Sequence, residues 1–92
     1  MRPKKVDSNQ RAIVLKLRQI SGVSVAHTHT LGKGYADILV GFRGKNFWFE
    51  IKDGKKVKSQ KQLTPDEKEF HSRWNGHIEI AESFEDIMKK IF

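Results

Sequence analysis

Cysteine is absent from these 92 residues, which excludes a disulfide framework and any thiolate metal site. Proline occurs only twice, and 11 acidic residues face 18 Lys and Arg, for a formal net charge of +7. No apolar run approaches the roughly 20 residues of a membrane-spanning helix. Nothing near the start has the pattern of a secretion signal. The expectation is an intracellular, cytoplasmic protein that does not enter membranes. The length fits one domain, 1–92, with a core that is adequate rather than generous. A basic surplus on so small a body attracts polyanions, nucleic acid first. A ribosome-associated or membrane-surface protein would carry a similar surplus.

What is present falls into seven segments. Asp7 or Ser8 is placed to cap a helix whose apolar positions Ile13, Val14, Leu17 and Ile20 follow helical spacing, with Gly22 ending it. Residues 23–27 alternate like a short strand, and a loop with Gly32 and Gly34 follows. Two apolar-rich runs, 36–42 and 46–52, flank the turn-forming tetrapeptide Arg43-Gly44-Lys45-Asn46 and read as a β-hairpin. Beyond Asp53-Gly54 the segment 55–61 is strongly basic. Thr64-Pro65-Asp66-Glu67 has the pattern of a capped helix start, with Phe70 and Trp74 on one face. A last strand at 77–81 and a helix begun by Ser83 and Asp86 close the chain. The order α-β-β-β-α-β-α describes a mixed α/β domain, a central sheet flanked by helices. The first three strands should form an antiparallel meander, and the fourth should arrive after a helical crossover.

The hairpin carries the most information. A loop centred between Gly44 and Lys45 pairs Ile38 with Ile51, Val40 with Phe49 and Phe42 with Phe47, an apolar face. The opposite face sets Asp37 across from Lys52, with Glu50 diagonal to Asp37 at about 7–8 Å between α-carbons. Side chains alternate with a period of two, so the register that builds the core also gathers two carboxylates and an ammonium. Two carboxylates so placed can share a Mg²⁺ ion, which takes one or two of them and keeps several waters. The plain alternative is a surface ion pair between Asp37 and Lys52, worth little.

Other candidates have equally plain alternatives. The lysines of 55–61 suit phosphate contacts, or simply a solvated loop. Gly32 and Gly34 suit a close approach of nucleic-acid backbone, or a turn. His27 and His29 project to one side like a metal pair, yet no third ligand is near in sequence, which favours surface histidines. Trp74 fits core packing. Trp48 shares the Asp37 and Glu50 face, which places it under a helix or at a subunit interface.

With Asp37 opening the second strand and Glu50-Ile51-Lys52 closing the third, the chain resembles the PD-(D/E)XK nuclease core, a restriction-endonuclease-like fold. It looks most like the stand-alone virus-type replication-repair nuclease (VRR-Nuc) domains. The matching text is Gly34-Tyr35-Ala36-Asp37-Ile38-Leu39-Val40-Gly41-Phe42-Arg43-Gly44, then Phe49-Glu50-Ile51-Lys52-Asp53-Gly54. Leu63-Thr64-Pro65-Asp66-Glu67, Phe70-His71 and Trp74-Asn75-Gly76 continue it, so the likeness runs over nearly the whole chain. The resemblance implies that Asp37, Glu50 and the Ile51 carbonyl bind the ion and that Lys52 positions the attacking water. Ala36 stands where the family usually has proline. Gln10 falls where related junction resolvases carry a glutamate, able to hydrogen-bond a metal-bound water without adding charge. The number of ions is left open.

The expected function is a Mg²⁺-dependent endodeoxyribonuclease, with Mn²⁺ as a substitute, acting on branched or Holliday-junction-like DNA. Lys33, Lys55, Lys56, Lys58 and Lys61 are the expected DNA contacts, a homodimer with Trp48 near its interface the expected assembly, and a phage or prophage the suggested source. The rivals are a non-catalytic DNA-binding module on the same fold, which Gln10 favours, and a basic protein-binding accessory domain.

Overall fold

The computed structural model describes residues 9–56 and 62–92. Its elements are α1 (Gln10–Arg18), β1 (Val23–His27), a 3-10 turn (His29–Leu31), β2 (Ile38–Phe42), β3 (Lys45–Ile51), α2 (Pro65–Arg73), β4 (Ile78–Ala81) and α3 (Phe84–Ile91). One four-stranded sheet has the order β1-β2-β3-β4. β1, β2 and β3 form an antiparallel meander, and β4 joins β3 in parallel after α2. The fold is thus α/β with a mixed sheet, in the element order expected. No helix among the described residues is long and apolar enough to cross a membrane.

Local chemistry explains the helix starts. At α2, Thr64 Oγ1 accepts the Glu67 backbone N–H at 3.2 Å while Glu67 Oε1 accepts that of Thr64 at 2.9 Å. Pro65 supplies a fixed φ in the first turn. At α3, Ser83 Oγ accepts the Asp86 N–H at 3.1 Å. α1 differs. Its N-cap residue is Asn9, which makes no side-chain cap bond and instead donates from Nδ2 to the carbonyls of Lys52 (3.2 Å) and Glu82 (3.3 Å). The expected caps, Asp7 and Ser8, lie outside the described residues.

The hairpin forms in a different register from the one expected. Ile38 pairs with Phe49, Val40 with Phe47 and Phe42 with Lys45. The turn is therefore the two residues Arg43 and Gly44, both with positive φ, 53° and 78°. Two-residue turns of this hand match the twist of the flanking strands, and the Arg43 guanidinium sits 4.8 Å from the centre of the Phe42 ring. A slip of two residues leaves every side chain on its original face, so both sets survive while their partners change. Asp37 no longer faces Lys52; it lies beside 49–51.

Both faces of the sheet are covered. Ile38, Val40, Phe42, Phe47, Phe49 and Ile51 pack under α1 and α3, against Ile13, Val14, Leu17, Ile87 and Ile91. On the other face Trp48, Ala36 and the α2 residue Phe70 form a second cluster, with Tyr35, Leu39 and Ile78 around it. Trp48 is only 8% exposed. Its ring centroid lies 5.1 Å from Phe70 and 4.6 Å from Trp74, and its Nε1–H donates to Thr28 Oγ1 at 2.8 Å. Trp48 is a core residue beneath α2, which corrects its placement at a subunit interface. Trp74 stacks on Phe70 but stays 41% exposed.

Gly34 binds the loop before β2 to this layer. Its φ is +81°, and a Cβ there would collide with the Asp66 carbonyl oxygen. The close approach that glycine permits is therefore to the first turn of α2.

Candidate active site

Asp37 is held where β2 begins. Its N–H donates to the Phe49 carbonyl at 3.0 Å, and its own carbonyl accepts the N–H groups of Thr28 (2.9 Å) and His29 (3.2 Å). Its Oδ2 accepts the Ile51 N–H at 2.7 Å. Glu50, on the Trp48 side of β3, has its Oε1 3.5 Å from Nε2 of His71 on α2. Lys52 follows β3 directly; its N–H donates to the Ala81 carbonyl at 2.9 Å, and its ammonium donates to Glu67 Oε1 at 2.9 Å. The end of β3 is thus gripped by β2, β4, α1 and α2 together.

These groups are withdrawn from solvent: Asp37 is 2% exposed, Glu50 0%, Glu67 2% and Lys52 8%. Among the described residues the buried charged groups are then three carboxylates against one ammonium. Buried carboxylates are costly unless hydrogen-bonded or paired with opposite charge; here Lys52 pairs with Glu67 and His71 faces Glu50. The donors are hard oxygens, the type Mg²⁺ and Mn²⁺ take. Among the described residues no three His, Asp or Glu side chains gather as a metal-holding group. A Mg²⁺ site asks less of the protein, one or two carboxylates with the remaining positions left to water and substrate. Asp37 and Glu50, with Ile51 between Glu50 and Lys52 on the same strand end, would hold it.

Asp37 lies beside Glu50 at the strand end that Lys52 follows, on the face opposite the core as the alternation of the hairpin implied. The Ile51 side chain is instead in the core and meets Asp37 through its N–H. Gln10 is fully buried, and its Nε2 lies 3.3 Å from Nδ1 of His27, so its side chain meets β1. The His27 and His29 rings meet edge to face at 5.6 Å. Partial desolvation of the largely exposed ring, then the positive charge of Arg18 and the neighbouring His29, hold the His27 pKa below its ordinary value. Lys33, Lys55 and Lys56 are exposed, with the chain after β3 turned by Asp53, whose Oδ1 accepts the Lys55 N–H at 2.9 Å. Lys58 and Lys61 lie outside the described residues.

Sequence reasoning missed the contribution of α2. Glu67 was legible as a capping residue and His71 as part of a motif, but neither as a neighbour of Lys52 or Glu50. Their spacing of four puts them on one helix face, which was the available signal. No family model matches the chain, and neither does any curated protein or solved structure.

Proposed function

We propose that the protein is a divalent-metal-dependent endonuclease with a restriction-endonuclease-like core of the VRR-Nuc kind, hydrolysing DNA phosphodiester bonds and selecting branched structures over sequence. The observation that carries this reading is the pair of buried carboxylates at the end of β3, Asp37 beside Glu50. Asp37 is bonded to the Phe49 carbonyl and the Ile51 N–H, and Lys52, two residues beyond Glu50, is held by Glu67. A bound Mg²⁺ would supply Lewis acidity and charge neutralisation at the phosphate. Asp37, fastened to the backbone of β3, and Glu50 hold the cation. Lys52 presents a positive charge beside them, suited to orient the attacking water or to neutralise a non-bridging oxygen. Lys52 and His71 have side chains 10% and 15% exposed, which makes them the parts of this cluster that meet a substrate first. Lys33, Lys55 and Lys56 are suited to phosphate contacts that fix register without reading bases. A twofold homodimer belongs to the proposal, because junction resolution needs two cuts.

A second reading, a DNA-binding module without catalysis, is favoured by Gln10, an uncharged side chain that lies against His27. One experiment separates the two. The protein is incubated with a labelled four-way junction and with linear duplex, in Mg²⁺, Mn²⁺ or chelator. Metal-dependent strand cleavage with preference for the junction supports the nuclease; a gel shift without cleavage in any metal supports the binding module.

A further inference from the structure

One oxygen of Glu67 serves two partners. Oε1 accepts the Thr64 backbone N–H at 2.9 Å, which closes the capping box of α2, and also takes the Lys52 ammonium at 2.9 Å. Both side chains are nearly enclosed, Lys52 at 10% and Glu67 at 3% exposure. We propose that Glu67 is a positioning residue for Lys52, fixing its ammonium at the candidate active site through the first turn of α2. The inference rests on the nuclease reading of that site.

A lysine side chain needs such an anchor. Its ammonium is a compact charge on a flexible four-carbon stem, without the rigid fork that orients arginine. The backbone of Lys52 is fixed by β4 and Asn9, but that leaves the amine free to sweep through several rotamers. A charge-assisted bond to a carboxylate selects one of them. Glu67 can do this because its carboxylate is itself held: Oε1 accepts the Thr64 backbone N–H at 2.9 Å, a bond that does not use the Thr64 hydroxyl. The spacing agrees with this. Glu67 and His71 are four apart on one helix face, Glu50 and Lys52 two apart on one strand face. The pairs meet in opposite sense, Lys52 with Glu67 and Glu50 with His71. α2 thus delivers one side chain to each of two candidate active-site residues.

The competing account is an ion pair that merely fastens α2 to the sheet. Thr64→Ala controls for the cap, since it removes the Oγ1 half of the capping box and leaves the Lys52 contact in place. The two accounts are separated by whether Glu67→Ala loses kcat while staying folded, because a mere fastening loses activity only in proportion to the folded protein lost. Junction cleavage at saturating substrate is compared for wild type, Thr64→Ala, Glu67→Ala and Glu67→Gln, each checked for folding by circular dichroism. Glu67→Ala should lower kcat about 10- to 100-fold, the scale of a misplaced catalytic group, with KM little changed. Thr64→Ala should stay near wild type, and Glu67→Gln, which keeps an acceptor oxygen, should recover most of the activity. Equal losses in Thr64→Ala and Glu67→Ala would overturn the proposal.

A second readout does not need cleavage. The ¹⁵Nζ resonance of Lys52, assigned with Lys52→Arg, should be sharp and slowly exchanging in wild type and Thr64→Ala, and broadened away in Glu67→Ala. An unchanged resonance in Glu67→Ala overturns the positioning role even if the protein cleaves DNA. Loss of the resonance in a protein that cleaves nothing keeps the anchor and overturns the nuclease reading.

Discussion

Oδ2 of Asp37 accepts the backbone N–H of Ile51 at 2.7 Å, so a residue of the candidate site also pins the end of β3. The two roles separate by substitution. Asp37→Asn keeps an acceptor oxygen and should unfold in urea near the wild-type midpoint, while cleavage is abolished. Asp37→Ala leaves the buried Ile51 N–H without that acceptor and should lose about 1–3 kcal/mol of stability. Near-normal cleavage by the Asn variant would remove Asp37 from the site.

Metal dependence follows from the donor set. Mg²⁺ or Mn²⁺ should support cleavage, whereas Ca²⁺, with its larger and looser shell, should permit DNA binding with little turnover. Glu50→Gln removes one charge from the buried cluster and should abolish cleavage at any Mg²⁺ concentration tried. Titrating each ion against single-turnover cleavage checks this, and full activity in excess EDTA rules the mechanism out.

The Gln10 and His27 pair makes a prediction about stability instead. His27 titrates below its ordinary value of 6.5 in the folded chain, first through partial desolvation, then through Arg18 and His29. The unfolded chain therefore takes up this proton at a higher pH than the folded one. Between the two values the unfolded state holds more protons, so stability falls as pH decreases from about 6.5 toward the folded value. His27→Gln should flatten this part of the profile. Thermal melts between about pH 7.5 and about pH 5.5 read the difference, and an equal slope in the variant would show that His27 does not contribute.

What the sequence revealed follows how local each signal is. Strand alternation is local, so Asp37, Glu50 and Lys52 could be separated from the apolar face before any fold was known. The Thr64 and Glu67 capping box is equally local. Register is not: it depended on Arg43 taking φ 53°, a conformation that few residues other than glycine adopt. Of the two placements open for Trp48, the one beneath a helix had its own signal. Phe47-Trp48-Phe49 is an unbroken apolar run, the mark of a strand buried on both faces, and it outweighs the polar neighbours that made this face look exposed. The meeting of Glu67 with Lys52 depended on where the crossover sets α2 down; the four-residue spacing to His71 marks the helix face but not its partner.

The exposed lysines test the nucleic-acid reading through salt. Neutralising Lys33, Lys55 and Lys56 together should weaken binding to all DNA sequences about equally. The slope of log K against log salt should shrink by roughly 0.9 for each duplex phosphate that the variant no longer neutralises. Fluorescence anisotropy across a salt series measures it. An unchanged slope would return these side chains to an ordinary solvated surface.

Assembly decides whether such a nuclease resolves junctions. A body of 92 residues carries one candidate active site, and a four-way junction is resolved by two symmetric cuts. A twofold homodimer provides two matched sites, and cyclic dimers are the commonest symmetric assembly. The burial of Trp48 beneath α2 removes the residue first expected at the interface, so Trp48 substitutions should affect stability rather than subunit mass. Light scattering should report a dimer at working concentration. A supercoiled plasmid bearing an extruded cruciform should pass to linear product with little nicked circle accumulating, because both cuts fall within one encounter. A monomer that yields only nicked circles would defeat the two-site model while leaving the single-strand chemistry standing.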